Sequence, residues 1–371
     1  MALLCHNASV DATFLHAALS FKKIFGTRFI RLFGPQHGFA TDAQDNMIET
    51  DHYVHPYFNI PVYSLYSETR IPTDTMLEGI DHLFVDLQDV GCRMYTYIYT
   101  LTLLLEKCSG KNIEVIVLDR PNPINGKDIE GNILDPEFGS FIGRHPIPVR
   151  HGMTIGEVAL MHQQFWTEGK ANLQIIKMQY WKREMYFEDT GLPWVLPSPN
   201  LARIQSVLTF PSIVLFEGTL LSEGRGTTTP LELVGHPKIE PFSLYENHLC
   251  DSIQKSGLEG FVLRPVIFTP TFDKKMNELC GGFQIHVTDQ ARYKPWRVGQ
   301  LLLQELYHLM GGNFEWRKPP FEYNYTQQPI DIINGTDRLR YWVSNNEPLA
   351  MLDSFEDLDE YRRQRKEVMI Y

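Results

Sequence analysis

The sequence predicts an α/β protein in which a doubly wound, mostly parallel sheet is followed by a second, smaller α+β domain. Three observations predict it. Short β-branched or apolar runs alternate with longer amphipathic ones through the first half of the chain, the pattern of strands joined by crossover helices. Four polar, glycine-marked turns each follow an apolar run that reads as a strand: Gly34-Pro-Gln-His-Gly38, Gln88-Asp-Val-Gly-Cys-Arg93, Asp119-Arg-Pro-Asn-Pro123 and Ser222-Glu-Gly-Arg-Gly226. Beyond Phe210-Pro211 the alternation becomes irregular, and 371 residues suit two domains, expected over 1–212 and 213–371.

In chain order, strands are expected at 2–5, 28–33, 82–87 and 114–118, with helices at 12–25 and 94–108 between them. A further helix starts at Thr154, because Thr154-Ile-Gly-Glu157 is a capping box, and runs to about residue 168. A strand at 173–178 leads into a Trp-, Tyr- and Pro-rich passage ending in Pro197-Ser-Pro-Asn200, where the prolines oppose regular helix. In the second half, strands are expected at 213–216, 261–268 and 283–287 and a helix at 295–309. The mixed charges of 353–366 read as a solvated terminal helix.

Composition excludes several classes of function. A net charge of -11 with no clustered Lys/Arg argues against nucleic acid as a partner. Five dispersed cysteines form no C-x-x-C pair. No apolar run reaches membrane-spanning length and no secretory signal is visible, so a cytoplasmic location is expected, or a periplasmic one if the true start lies upstream. P-loop, G-x-S-x-G, H-E-x-x-H and Gly-x-Gly-x-x-Gly patterns are missing, and close metal-ligand pairs are too, so no cofactor and no metal are expected.

Loops leaving the carboxyl ends of parallel strands converge on one crevice, so the four turns read as one site in four pieces. In the first, Gln36 and His37 sit on a rigid turn, where His37 is either a catalytic group or a structural hydrogen-bonding one. In the second, Asp86 reads as a buried carboxylate satisfied by amides or by Arg93, and Asp89 as one presented to a ligand. Tyr95 and Tyr97 beside that turn either stack on a sugar or pack in the core. In the third, Asp119 and Arg120 point apart and serve different partners, while two prolines fix Asn122 for binding or simply shape the turn. In the fourth, Arg225 between glycines either grips an anion or pairs with Glu223, and Glu217 supplies another carboxylate.

Across these motifs, and through Leu3-Leu-Cys-His-Asn7, Pro61-Val-Tyr-Ser-Leu-Tyr66, Arg150-His-Gly-Met-Thr154 and Pro197-Ser-Pro-Asn200, the chain resembles the exo-acting β-N-acetylmuramidases of peptidoglycan recycling. The resemblance implies a Rossmann-like amino-terminal domain, a smaller carboxyl-terminal domain, and removal of terminal N-acetylmuramic acid from the non-reducing end of cell-wall fragments. Many members look like Gly-Pro-Glu-His-Gly at the first turn, whereas this chain has Gln36, which can neither give nor take a proton at neutral pH. Glycoside cleavage uses a carboxyl acid and a second assisting group. The expected catalytic residues are therefore Asp89, Glu223 and Glu49, and the expected substrate-binding residues are Gln36, His37, Arg93, Tyr95, Asp119, Arg120, Asn122 and Arg225. Arginines suit the lactyl carboxylate of muramic acid. The alternative is a sugar-binding protein that has lost its acid at position 36. The expected partner is a cell-wall sugar or muropeptide fragment, with neither nucleic acid nor membrane.

Overall fold

The computed structural model describes residues 1–44 and 48–371. Seven strands form one sheet: β1 (Ala2–Cys5), β2 (Arg31–Gly34), β3 (Tyr53–Val54), β4 (Pro61–Ser64), β5 (His82–Asp86), β6 (Glu114–Leu118) and β7 (Asn172–Ile176). Their spatial order is β3-β4-β2-β1-β5-β6-β7, with every neighbour parallel except the antiparallel edge pair β3 and β4. From β1 the chain winds outward to β2, and from β5 it winds the other way to β6. The switch point of the doubly wound sheet therefore lies between β1 and β5, where a crevice opens beyond the strand ends.

Burial follows the two-residue period of the strands. Leu3 and Cys5 pack with Ala18 and Phe21 of helix Ala17–Phe25 on one face. Ala2 and Leu4 pack on the other with Leu101 and Leu104 of helix Tyr97–Cys108 and with Ile155 and Ala159 of helix Ile155–Met161. The capping box holds as expected, with the Glu157 amide donating to Thr154 Oγ1 at 3.2 Å and the Thr154 amide to Glu157 Oε2 at 3.1 Å.

The second unit carries an antiparallel sheet of β8 (Leu233–His236), β9 (Phe261–Phe268) and β10 (Cys280–Val287) in the order β8-β10-β9. Helix Pro295–Met310 packs against helix Ile204–Ile213 so closely that a Cβ on Gly299 would lie 2.5 Å from the Ser212 carbonyl oxygen.

Two expectations need correction. Residues 213–216 are not a strand: helix Ile204–Ile213 runs through Pro211 into a 3-10 turn at Val214–Gly218. Ile213-Val-Leu-Phe216 is a wholly apolar run of four residues, too short to show a period that separates helix from strand. The tail is not simply solvated either. Helix Asp359–Val368 buries Tyr361, Arg365 and Val368, and Arg365 donates to the Gly152 carbonyl at 2.9 Å. Mixed charge hid a docking stripe that recurs at helical spacing.

Candidate active site

The turn after β2 is sharp because His37 (φ 70°) and Gly38 (φ 80°) both take left-handed backbone. It buries Gln36 and His37. Since a carbonyl oxygen can only accept, the 2.7 Å contact from His37 Nδ1 to Ala43 O puts the ring proton on Nδ1 and leaves Nε2 an acceptor. Burial pushes His37 down to about 4, so the ring is neutral at neutral pH. Gln36 Oε1 accepts from Thr96 Oγ1 at 2.6 Å, which leaves its NH₂ as the free donor of that amide.

The fourth turn meets the first from the opposite side. Gly224 (φ 80°) and Gly226 (φ 77°) flank Arg225 and let it fold back among carboxylates. Its Nη2 lies 2.5 Å from Glu217 Oε1 and its Nε 3.1 Å from Glu223 Oε1, while Lys274 Nζ lies 2.7 Å from Glu223 Oε2. Burial opposes ionisation of Glu223, but Lys274 and Arg225 hold its carboxyl below the usual glutamate range.

A third wall comes from far down the chain. Phe321 and Asn324 exchange both backbone hydrogen bonds, each 2.9 Å, closing a two-residue hairpin whose tip presents Glu322. Gln36, His37, Tyr95, Glu217, Arg225 and Glu322 line one cavity, with Ser198 and Asn200 of the Pro-Ser-Pro-Asn passage. Among the described residues no hydrogen-bond partner reaches buried Glu322 Oε2. Burial, then the nearby Glu217, pushes Glu322 up to about 7 against the opposing pull of Arg317, Arg225 and Arg70. A buried carboxyl that keeps its proton near neutrality, beside hydrogen-bonding groups and a guanidinium, can protonate a leaving oxygen.

The model of the exo-β-N-acetylmuramidase NamZ N-terminal domain matches residues 1–205, and that of its C-terminal domain matches residues 208–371. The chain belongs to the NamZ family. It is 41% identical over 343 residues, 92% of this chain and 79% of the relative, to the peptidoglycan β-N-acetylmuramidase NamZ of Bacillus subtilis (strain 168). Two crystal structures of DUF1343 family proteins from Bacteroides fragilis NCTC 9343 share the fold. One has a TM-score of 0.86 at 29% identity and the other 0.74 at 26%, each alignment covering 100% of this chain and 93% of the other.

In this NamZ-family chain the remaining turn residues lie off the cavity wall. Asp89 Oδ2 accepts the Gly91 amide at 2.7 Å inside its own turn and sits 3.4 Å from His151 Nε2. Gly91 (φ 76°) packs so tightly on the third turn that a Cβ there would come within 2.3 Å of Asn122 Oδ1. Asn122 itself holds Met153 O at 2.9 Å and the Ile124 amide at 3.1 Å. Asp119 receives Thr154 Oγ1, the Gly156 amide and Tyr371 OH at 2.7 to 2.8 Å, which anchors the start of helix Ile155–Met161. Asp86 is satisfied by Arg120 (2.5 Å) and not by Arg93. Among the described residues, Arg93 donates hydrogen bonds to carbonyl oxygens. Glu49, whose preceding residues 45–47 lie outside the described residues, is half-exposed and pairs with Arg70 at 3.1 Å.

The raised value of Glu322 has a consequence for stability. A carboxyl whose folded value lies above its unfolded one stabilises fully below the unfolded value, and that contribution is lost as pH rises through about 7. The wild type should lose up to about 3 kcal/mol between pH 4 and pH 8 from this group alone. Urea midpoints across that range check it: Glu322→Gln should flatten the dependence, and an unchanged slope would refute it.

Proposed function

We propose that this chain is an exo-acting β-N-acetylmuramidase that releases terminal N-acetylmuramic acid from the non-reducing end of peptidoglycan fragments. The observation that carries the reading is the cavity in which Gln36, His37, Glu217, Arg225 and Glu322 meet, in a chain matched end to end by NamZ-family models. Its walls are almost wholly buried, so a ligand group there would meet them with little competing water.

The chemistry of the wall fits the sugar. The Gln36 NH₂ and the neutral His37 ring offer one donor and one acceptor to hydroxyl or acetamido groups. Of the three arginines read as partners for the lactyl carboxylate, Arg225 is the one on the cavity wall. The carboxyl groups of the wall supply the proton transfer that glycoside cleavage needs.

Purified protein should release nitrophenol from 4-nitrophenyl β-N-acetylmuraminide and N-acetylmuramic acid from a muramic-acid-terminated disaccharide. The corresponding N-acetylglucosaminide, which lacks the lactyl group, should react at least about tenfold more slowly, the factor that roughly 1.4 kcal/mol of lost ionic contact would give. Absence of turnover on both muraminides, with the protein folded, would sink the proposal.

A further inference from the structure

Hydrolysis of a glycosidic bond to another sugar needs a group that carries a proton to the departing oxygen, and position 36 cannot supply it. Gln36 bears an amide, already fixed by its 2.6 Å bond from Thr96. The other carboxylates near the site are engaged. Glu217 pairs with Arg225 at 2.5 Å, Glu223 with Arg225 and Lys274, and Asp89 with the amide of Gly91. Glu49 is half-exposed against Arg70.

Glu322 differs from all of them. Asp89 Oδ1 is likewise buried without a partner but lies off this cavity wall, whereas Glu322 lines the same cavity as Gln36, is 3% exposed, and leaves Oε2 buried without a hydrogen-bond partner among the described residues. Its backbone is unusual too. The Phe321–Asn324 hairpin has left-handed backbone at both central positions, Glu322 at φ 46° and Tyr323 at φ 63°. Such two-residue turns favour asparagine or aspartate followed by glycine, because a side chain there crowds the backbone. Here two large side chains occupy them. The turn therefore tolerates strain while aiming a desolvated carboxyl into a cavity, which is where strained backbone is expected when it serves a site. Tyr323 is clamped by Arg70, whose guanidinium carbon lies 4.5 Å from its ring centroid, so the tip is held.

We infer that Glu322 is the general acid of this enzyme, taking over proton donation from the first turn, where this chain has an amide. The inference rests on the glycosidase reading above. As the bond from the anomeric carbon to the leaving oxygen breaks, its electron pair goes to that oxygen, which takes the Glu322 proton. Water supplies the hydroxyl to the anomeric carbon, and the proton that water gives up restores the Glu322 acid by way of solvent. The titratable and charged groups around Glu322 are Glu217, Arg225, Arg317, Arg70, Tyr66 and Tyr323.

Two variants and two leaving groups test this. Nitrophenolate departs without help from an acid, whereas a sugar alkoxide does not. Glu322→Gln should lower kcat/KM on the disaccharide about 10²- to 10⁴-fold and on the nitrophenyl muraminide far less. The alkaline limb of the wild-type disaccharide profile, a fall in rate as pH rises through about 7, should vanish in the variant. Glu322→Asn should show the same selective loss while keeping or raising Tm, since asparagine suits left-handed backbone. Disaccharide activity within threefold of wild type in either folded variant would overturn the assignment. Equal losses on both substrates together with a lowered Tm in both variants would overturn it as well, marking Glu322 as structural. If the wild type turns over neither muraminide, the failure belongs to the glycosidase reading itself.

Discussion

Arg225→Met is expected to destabilise the protein by about 3–5 kcal/mol, the cost of removing one member of a buried ion-pair network. The guanidinium is buried among Glu217 at 2.5 Å and Glu223 at 3.1 Å. Burial alone would loosen its proton, yet the two carboxylates hold it above its ordinary value. Once it is gone, Glu223 keeps Lys274 at 2.7 Å, while Glu217, which helps form the cavity wall, loses its 2.5 Å ion pair. Domains are stable by only about 5–15 kcal/mol, so this one change removes much of the margin. Arg225→Lys should recover part of the loss, because an ammonium restores the charge but cannot span both carboxylates as the planar fork does. Urea unfolding of Arg225→Met, Glu217→Gln and the double variant completes the cycle: the double should be markedly less destabilised than the sum. Strict additivity would show that the pair is not the source.

Much of the architecture was legible because its signals are local. The sheet strands at 2–5 and 114–118 lie where alternation put them, and the capping box at Thr154 starts its helix. Glycine and proline marked the turns, and two of the four, those carrying Gln36 and Arg225, reach the cavity. The other two turns lie off that wall: a buried polar residue beside a sheet edge has the same sequence signature whether it faces a ligand or bonds within the fold, and Asp119, Arg120 and Asn122 make hydrogen bonds or ion pairs within the fold. Glu322 gave no signal at all. Phe321-Glu-Tyr-Asn324 lacks the glycine that announces a tight hairpin, and Glu322 comes to the cavity that Gln36 lines only through tertiary packing of segments 286 residues apart in sequence.

Arg93 shows how that ambiguity is resolved by experiment. Its side chain is completely buried, and burial pulls its value down to about 10. Nη1 donates to Asn132 O at 2.8 Å and Ile147 O at 2.9 Å, and Nη2 to Ile333 O at 3.2 Å and Asn334 O at 2.6 Å. The last two carbonyls end helix Pro329–Asn334, where helical bonding runs out and the dipole favours a cation. That helix in turn packs on the turn bearing Glu217, since a Cβ on Gly218 would lie 2.8 Å from Ile330. Arg93 thus ties the loop after β5 to the elements that carry Glu217. Arg93→Met takes a donor from four buried carbonyls, of which Asn334 O keeps Asn132 Nδ2 at 2.8 Å and Ile147 O the Leu134 amide at 3.3 Å, and should cost on the order of 3–5 kcal/mol. A ligand for the lactyl carboxylate would instead affect KM: its loss would raise KM for the muraminide tenfold or more at little cost in stability, as about 1.4 kcal/mol of lost charged hydrogen bonding implies. The expected result is the reverse, a large fall in the urea midpoint with KM of the folded fraction within about threefold of wild type, a change under 1 kcal/mol. A normal midpoint with a raised KM would return Arg93 to the substrate.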